Sequence, residues 1–224
     1  MQSTNPRRKR APIVIPNPIS EARWLNLGVS RESLTRLEAL VAVTAAWQER
    51  INLIAPSTLH EIWNRHILDS IQLLPLLPKN TRKIADLGSG GGFPALALAA
   101  TQPAELHMFE ANAKKVAFLQ EALRRMGVSA KVHCERLVQN KPPQNLQEVQ
   151  VVTARAFAPL KELLGFASPL LAAGAIGLFH KGKDIDAELT AAAKDWHITG
   201  LKHSSLTDSR SVILEVKEVV RVTK

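Results

Sequence analysis

Asp86-Leu87-Gly88-Ser89-Gly90-Gly91-Gly92-Phe93-Pro94 lies between two segments of opposite character. Ahead of it, Lys83-Ile84-Ala85 continues through Asp86 and Leu87 as a short apolar run of strand length. Behind it, Ala95-Leu96-Ala97-Leu98-Ala99-Ala100 reads as a helix with Pro94 near its first turn. Strand, glycine loop and helix in that order form a ligand cradle, because a backbone without Cβ atoms can turn sharply and let a ligand come close. From residue 81 onward apolar strand-like runs alternate with helical patterns, which predicts an α/β fold with a mostly parallel sheet covered on both faces.

The spacing excludes a nucleoside triphosphate loop, since Phe93-Pro94 stands where Lys followed by Ser or Thr would be needed. Gly90 to Ala95 fits the loosened dinucleotide fingerprint, a weak match by itself. Two acids refine it. Asp86 sets a carboxylate against the cradle, awkward beside a pyrophosphate but suited to a cationic ligand. Glu110 ends the strand-like Leu106-His107-Met108-Phe109, where a doubly wound fold places the acceptor for ribose hydroxyls. Together they favour S-adenosylmethionine, with a nicotinamide cofactor and a purely structural glycine turn as the other two readings.

The 224 residues suffice for one main core with an attachment. Cys134 is the only cysteine, so neither an internal disulfide nor a cysteine-rich zinc site is available, and a reducing, cytoplasmic setting is expected. It reads as a small buried residue. No metal centre is expected. No apolar run of about 18 residues exists to span a membrane. The net charge of +9 points to a polyanionic partner, nucleic acid above all, and four of those charges are Arg7, Arg8, Lys9 and Arg10. Residues 1–20, with prolines at 6, 12, 16 and 18, are expected to be an unpacked basic arm. A targeting peptide is the competing reading of that arm, and its prolines count against an amphipathic helix.

Residues 21–80 read as a helical extension and 81–224 as the main domain. Ser30 caps a predicted helix to about Arg50, and Thr58-Leu59-His60-Glu61 predicts a capping box opening a second helix that ends before Pro75. Asn52 between them reads either as a helix-end cap or a site residue, and His66 either as a surface histidine or a site residue. Further along, Ala113 to Leu123 predicts a helix closed by Gly127, and strands are expected near 130–133, 149–153 and 175–180. Helices are expected at 160–167 and 184–194. The last two strands, 198–203 and 212–219, are joined by too few residues for a crossover, so an antiparallel hairpin closes the sheet.

Five segments in order resemble one family, the bacterial 16S ribosomal RNA guanine-N7 methyltransferases known as RsmG or GidB. They are Asn52-Leu53, Arg65-His66-Ile67-Leu68-Asp69-Ser70-Ile71, the glycine loop, Lys114-Lys115-Val116-Ala117-Phe118-Leu119 and Thr153-Ala154-Arg155-Ala156-Phe157. The second and fifth are the most particular to the family. The resemblance implies a class I S-adenosylmethionine-dependent methyltransferase fold, Rossmann-like, acting as a monomer on guanine 527 of 16S ribosomal RNA or of the small subunit. It also implies that Gly88, Gly90, Phe93, Glu110, Leu137 and Val138 surround the cofactor with Asp86. Arg155 lies beside cofactor and base with Asn52 and His66, and Arg136 and Arg210 meet RNA. Two departures stand out: Val138 replaces a family acid, and Ala95 a family glycine. A non-catalytic RNA-binding protein on the same fold is the alternative. The chain lacks a Gly-x-Ser-x-Gly elbow and an Asn-Pro-Pro-aromatic segment, which argues against a serine hydrolase and against methylation of exocyclic amines.

Overall fold

The computed structural model describes residues 14–143 and 146–222, so the basic cluster Arg7, Arg8, Lys9 and Arg10 lies outside the described residues. Strand β1 (Lys83–Leu87) enters the glycine loop and helix α4 (Ala95–Thr101) leaves it. The sheet runs β3 (Lys131–Cys134), β2 (Glu105–Glu110), β1, β4 (Val151–Arg155), β5 (Ile176–Lys181), β7 (Val212–Arg221), β6 (Trp196–Ser204). Neighbours from β3 to β5 are parallel, whereas β7 is antiparallel to both β5 and β6. The reversal has the expected cause, because only Ser205 to Ser211 separates β6 from β7. Strand β4 runs two residues further than its apolar pattern predicts, and Arg155 is its last residue.

Successive residues of each strand enter opposite cores. Ile84, Val151, Leu178 and Ile213 belong to one cluster, and Ala85, Val152, Phe179 and Leu214 to the other. Helices α6 (Leu160–Ala172) and α7 (Ile185–Ala192) cover the second face. The first face carries α4 and α5 (Ala113–Met126), and above them α1 (Glu21–Asn26) and α2 (Arg31–Gln48). All of Ala95 to Ala100 are buried, as befits a helix with protein on every side. The N-terminal helices supply that outer side, and their Trp24, Leu37, Leu40 and Ile62 share one cluster with Ile84 and Leu106. Each such side chain contributes about 1.5–3 kcal/mol on burial, so the helical layer is held by the sheet's own core rather than a separate one.

Several expectations need correction. The second N-terminal helix is a composite: a 3-10 helix at Pro56–Glu61, π turns at Trp63–Leu68 and a short α3 (Asp69–Ile71). No capping box forms, because Thr58 Oγ1 donates to the Ala55 carbonyl and also meets His66 Nε2. Residues 14–20 are not an unpacked arm: Ile15 and Ile19 pack on the core, and the Ile15 carbonyl accepts from Trp63 Nε1 at 3.0 Å. Helix α1 carries only Trp24 to the core, too little for a periodic signal, and Ser20 caps it. Cys134 is exposed, since it ends edge strand β3. No helix among the described residues is long and apolar enough to cross a membrane.

Candidate active site

The carboxyl ends of β1, β2 and β4 meet at a cleft of about 810 Å³, at the edge where open α/β sheets take their ligands. Its floor is the glycine loop. Gly88 takes φ +68°, and a Cβ there would lie 2.1 Å from the Phe157 ring. A Cβ on Gly91 would lie 2.4 Å from the Leu53 carbonyl oxygen. The loop thus passes under two walls that only glycine clears, while Gly88, Gly90 and Phe93 face the cleft. Glu110, at the end of β2, accepts from Gly90 N at 2.8 Å and Asn112 N at 2.7 Å. Each of its oxygens retains a lone pair for a ligand hydroxyl. Leu137, Phe109 and Phe166 give the apolar surface an adenine-sized ring needs, and the exposed Arg136 stands at the rim. A cradle that Gly88 and Gly91 close to a Cβ and an acid placed for a ribose fit a nucleoside, and Lys115 also lines the cleft.

Two expected cofactor residues are elsewhere. Asp86 is buried beneath the loop, where Oδ1 accepts from Thr153 Oγ1 at 2.7 Å and Oδ2 has no partner among the described residues. Burial, partly offset by the Ser89 and Thr153 hydrogen bonds, pushes its carboxyl up to about 6. Val138 is 54% exposed and outside the cleft, because the chain turns to solvent past Leu137.

The opposite wall belongs to the composite helix. Asp69 N–H reaches back five residues to the Asn64 carbonyl, so the Arg65 carbonyl loses its usual helical donor and accepts from Arg155 Nη2 at 2.9 Å. The same nitrogen donates to His66 Nδ1 at 3.1 Å. His66 is therefore no surface histidine. It is buried against Phe93, and burial, then Arg155 and Arg65, push it down to about 3. Its neutral ring accepts from Arg155 and gives its Nε2 proton to Thr58 Oγ1. Asp69 Oδ2 stands 3.4 Å from Arg155 Nε. Asn52 is exposed at the cleft edge and is not a helix cap; α2 ends earlier, at Gln48, whose side chain ties Leu53 N, Ile54 N and the Ile54 carbonyl.

A second cavity of about 640 Å³ adjoins the first, and Arg65, Arg155, Ala156 and Phe157 border both. Its far side is the 205–211 loop between β6 and β7. Gln72 Oε1 accepts from Leu206 N at 2.8 Å, and Thr207 Oγ1 donates to Asp69 Oδ1 at 2.8 Å. Arg210 points away, 71% exposed and paired with Asp208. Ala156 has φ +50°, strained for a residue with a Cβ, and it carries the chain from Arg155 to Phe157 over Gly88. Among the described residues no group of three or more His, Cys, Asp or Glu is arranged to hold a metal ion. Sequence reasoning missed Gln48, Thr58, His180 and Phe157 as site components. His180 had the one available signal, a polar residue near the end of an apolar strand.

The sequence profile of a family described as "rRNA small subunit methyltransferase G" matches residues 33–216. A protein of Rhodospirillum rubrum named "Ribosomal RNA small subunit methyltransferase G" is 47% identical over 90% of this chain and 98% of its own length. One from Paramagnetospirillum magneticum with the same name is 45% identical over 87% of this chain and 93% of its own. Among solved structures, a TehB-like SAM-dependent methyltransferase from Corynebacterium glutamicum superposes with a TM-score of 0.50 at 10% identity, over 78% of this chain and 97% of that one, a likeness of fold alone.

Proposed function

Because the chain belongs to the rRNA small subunit methyltransferase G family, we propose that it transfers a methyl group from S-adenosylmethionine to N7 of a guanine in 16S ribosomal RNA, guanine 527. The observation that carries this reading is a single cleft shared by the glycine cradle, Glu110 and the Arg155–His66 pair. When bound, the donor supplies an electrophilic methyl on a sulfonium. Guanine N7 presents its lone pair without losing a proton, so the site needs alignment rather than a base. His66 agrees with that requirement, being neutral with both ring nitrogens engaged. Its part is to hold Arg155. The Arg155 guanidinium, with Asn52 at the edge, orients the base, Arg136 and Arg210 meet the RNA backbone, and Glu110 receives the ribose.

Two measurements test this. Mapping N7-methylguanosine in ribosomal RNA from cells with and without the protein should show one guanine whose methylation depends on it; an identical map would refute the activity. Glu110→Ala should weaken donor binding by about 1–3 kcal/mol, the range for hydrogen bonds to a charged acceptor. Calorimetry giving the wild-type affinity would remove Glu110 from the ribose.

A further inference from the structure

The second cavity is bordered by two unusual atoms. Arg155 and His180 are register neighbours at the carboxyl ends of β4 and β5, and both line this cavity. Arg155 Nη1 and His180 Nδ1 are buried with no hydrogen-bond partner among the described residues. Buried polar atoms in that state cost about 1–3 kcal/mol each, and a ligand that pairs them recovers the loss. Nη1 can only donate. His180 Nε2 lies 2.7 Å from the Asp69 carbonyl oxygen, an acceptor, so Nε2 carries the proton. Burial, against Asp69 and with Arg155, lowers the affinity of this histidine for a second proton, and Nδ1 presents a lone pair. A donor and an acceptor therefore wait side by side.

The charges around them are balanced. Arg65 faces Asp208 at 3.6 Å, Arg155 faces Asp69 at 3.4 Å, and Lys181 faces Glu188 at 2.5 Å. A cavity of paired charges offers little to a phosphate and suits a neutral heterocycle, with the Phe157 ring on its border to stack on.

Resting on the methyl-transfer reading, we propose that this cavity seats the target guanine by its amide edge, Arg155 Nη1 donating to O6 and His180 Nδ1 accepting from N1–H. On guanine the order along the ring is N7, O6, N1–H; in the protein it is cofactor cleft, Arg155, His180. The two orders coincide, so pairing the edge turns N7 toward the donor. Adenine presents a donor at position 6 and an acceptor at N1, the reverse pattern, and meets two mismatches. His180 is in this scheme a specificity residue.

The test is single-turnover methyl transfer to ribosomal RNA carrying guanine, inosine or 2-aminopurine at the target position. Inosine keeps N7, O6 and N1–H; 2-aminopurine keeps N7 and lacks the other two. The wild-type protein should accept inosine within about threefold of guanine and disfavour 2-aminopurine roughly a hundredfold or more. His180→Phe, which keeps the ring and removes the acceptor, should narrow the guanine to 2-aminopurine ratio about tenfold while leaving donor affinity as it was. Comparing ratios cancels the intrinsic reactivity of each base. A wild-type protein that uses 2-aminopurine as readily as guanine overturns the inference without any variant, and so does an unchanged ratio in a folded His180→Phe protein. Transfer to no base at all overturns the methyltransferase reading and this inference with it.

Discussion

Arg155 is fixed from three sides, by the Arg65 carbonyl, His66 Nδ1 and Asp69, and its Nη1 has no hydrogen-bond partner among the described residues. A lysine cannot reproduce that fork, having one compact ammonium where the guanidinium presents a planar set of donors. Arg155→Lys should keep the fold and most donor affinity and lose about tenfold or more in methyl transfer, about 1.4 kcal/mol of transition-state stabilisation. Single-turnover rates at saturating donor and RNA decide it, and a wild-type rate would end the proposed role. Asp86 gives a pH-dependent prediction. Its folded pKa of about 6 exceeds the ordinary aspartate value of 3.8, so the folded state binds the proton more tightly. Its ionisation penalty is fully present above about pH 6 and fades as pH falls toward 4; a shift of this size corresponds to about 3 kcal/mol. Asp86→Asn should accordingly raise the melting temperature of the free protein more at pH 8 than at pH 4. Equal gains at both pH values would show that the carboxylate carries no such penalty. At this scale the sequence disclosed that Arg155 and Glu110 lie at strand ends beside the glycine loop, a matter of order along the chain. It did not disclose the burial of His66 or Asp86 under neighbouring elements, because burial depends on residues far away in the chain.

The glycine loop and the 52–54 segment form one unit, since Gln48 holds the backbone of Leu53 and Leu53 in turn roofs Gly91. Gly91→Ala forces its Cβ against a backbone oxygen that Gln48 keeps from yielding, a clash of the kind that costs about 1–3 kcal/mol. Calorimetry should find donor binding impaired. Gly127→Ala serves as the control: at φ +65° it carries local strain of about 1 kcal/mol but meets nothing within 4 Å, so binding should be untouched. If both variants bind equally, the loop and the 52–54 segment are not coupled. Legibility divides along the same line. Strands β1, β2 and β5 and helices α2 and α5 were readable because local periodicity and caps specify them, Asn112 and Gly127 closing the two ends of α5. The composite helix was not. Its apolar residues satisfy a 3.6-residue period well enough, and the π turns answer to a tertiary demand, the carbonyl that Arg155 takes from Arg65.

Across the whole molecule the net charge of +9 includes four cations at Arg7 to Arg10. Removing residues 1–13, which precede the packed Ile15, should lower the slope of log affinity for RNA against log salt by up to about 3 units, if each cation meets a phosphate of a single strand. An equal slope for the shortened protein would assign those charges another use. The architecture itself was legible at this scale, down to the antiparallel last strand, because connection length fixes strand direction. The sharing of one core by the N-terminal helices and the sheet was not, since no pattern along the chain says which apolar faces meet. Strand β7 lies between β5 and β6 although it is synthesised last, and the 205–211 loop is fastened to Gln72 and Asp69 from a much earlier part of the chain. During translation β6 therefore emerges before the neighbour it must pair with, and the second cavity stays without its far wall until the closing segment leaves the ribosome. A growing chain can form its helical layer and the parallel half of its sheet, with the glycine cradle among them, but the seat that the 205–211 loop completes exists only in the finished protein.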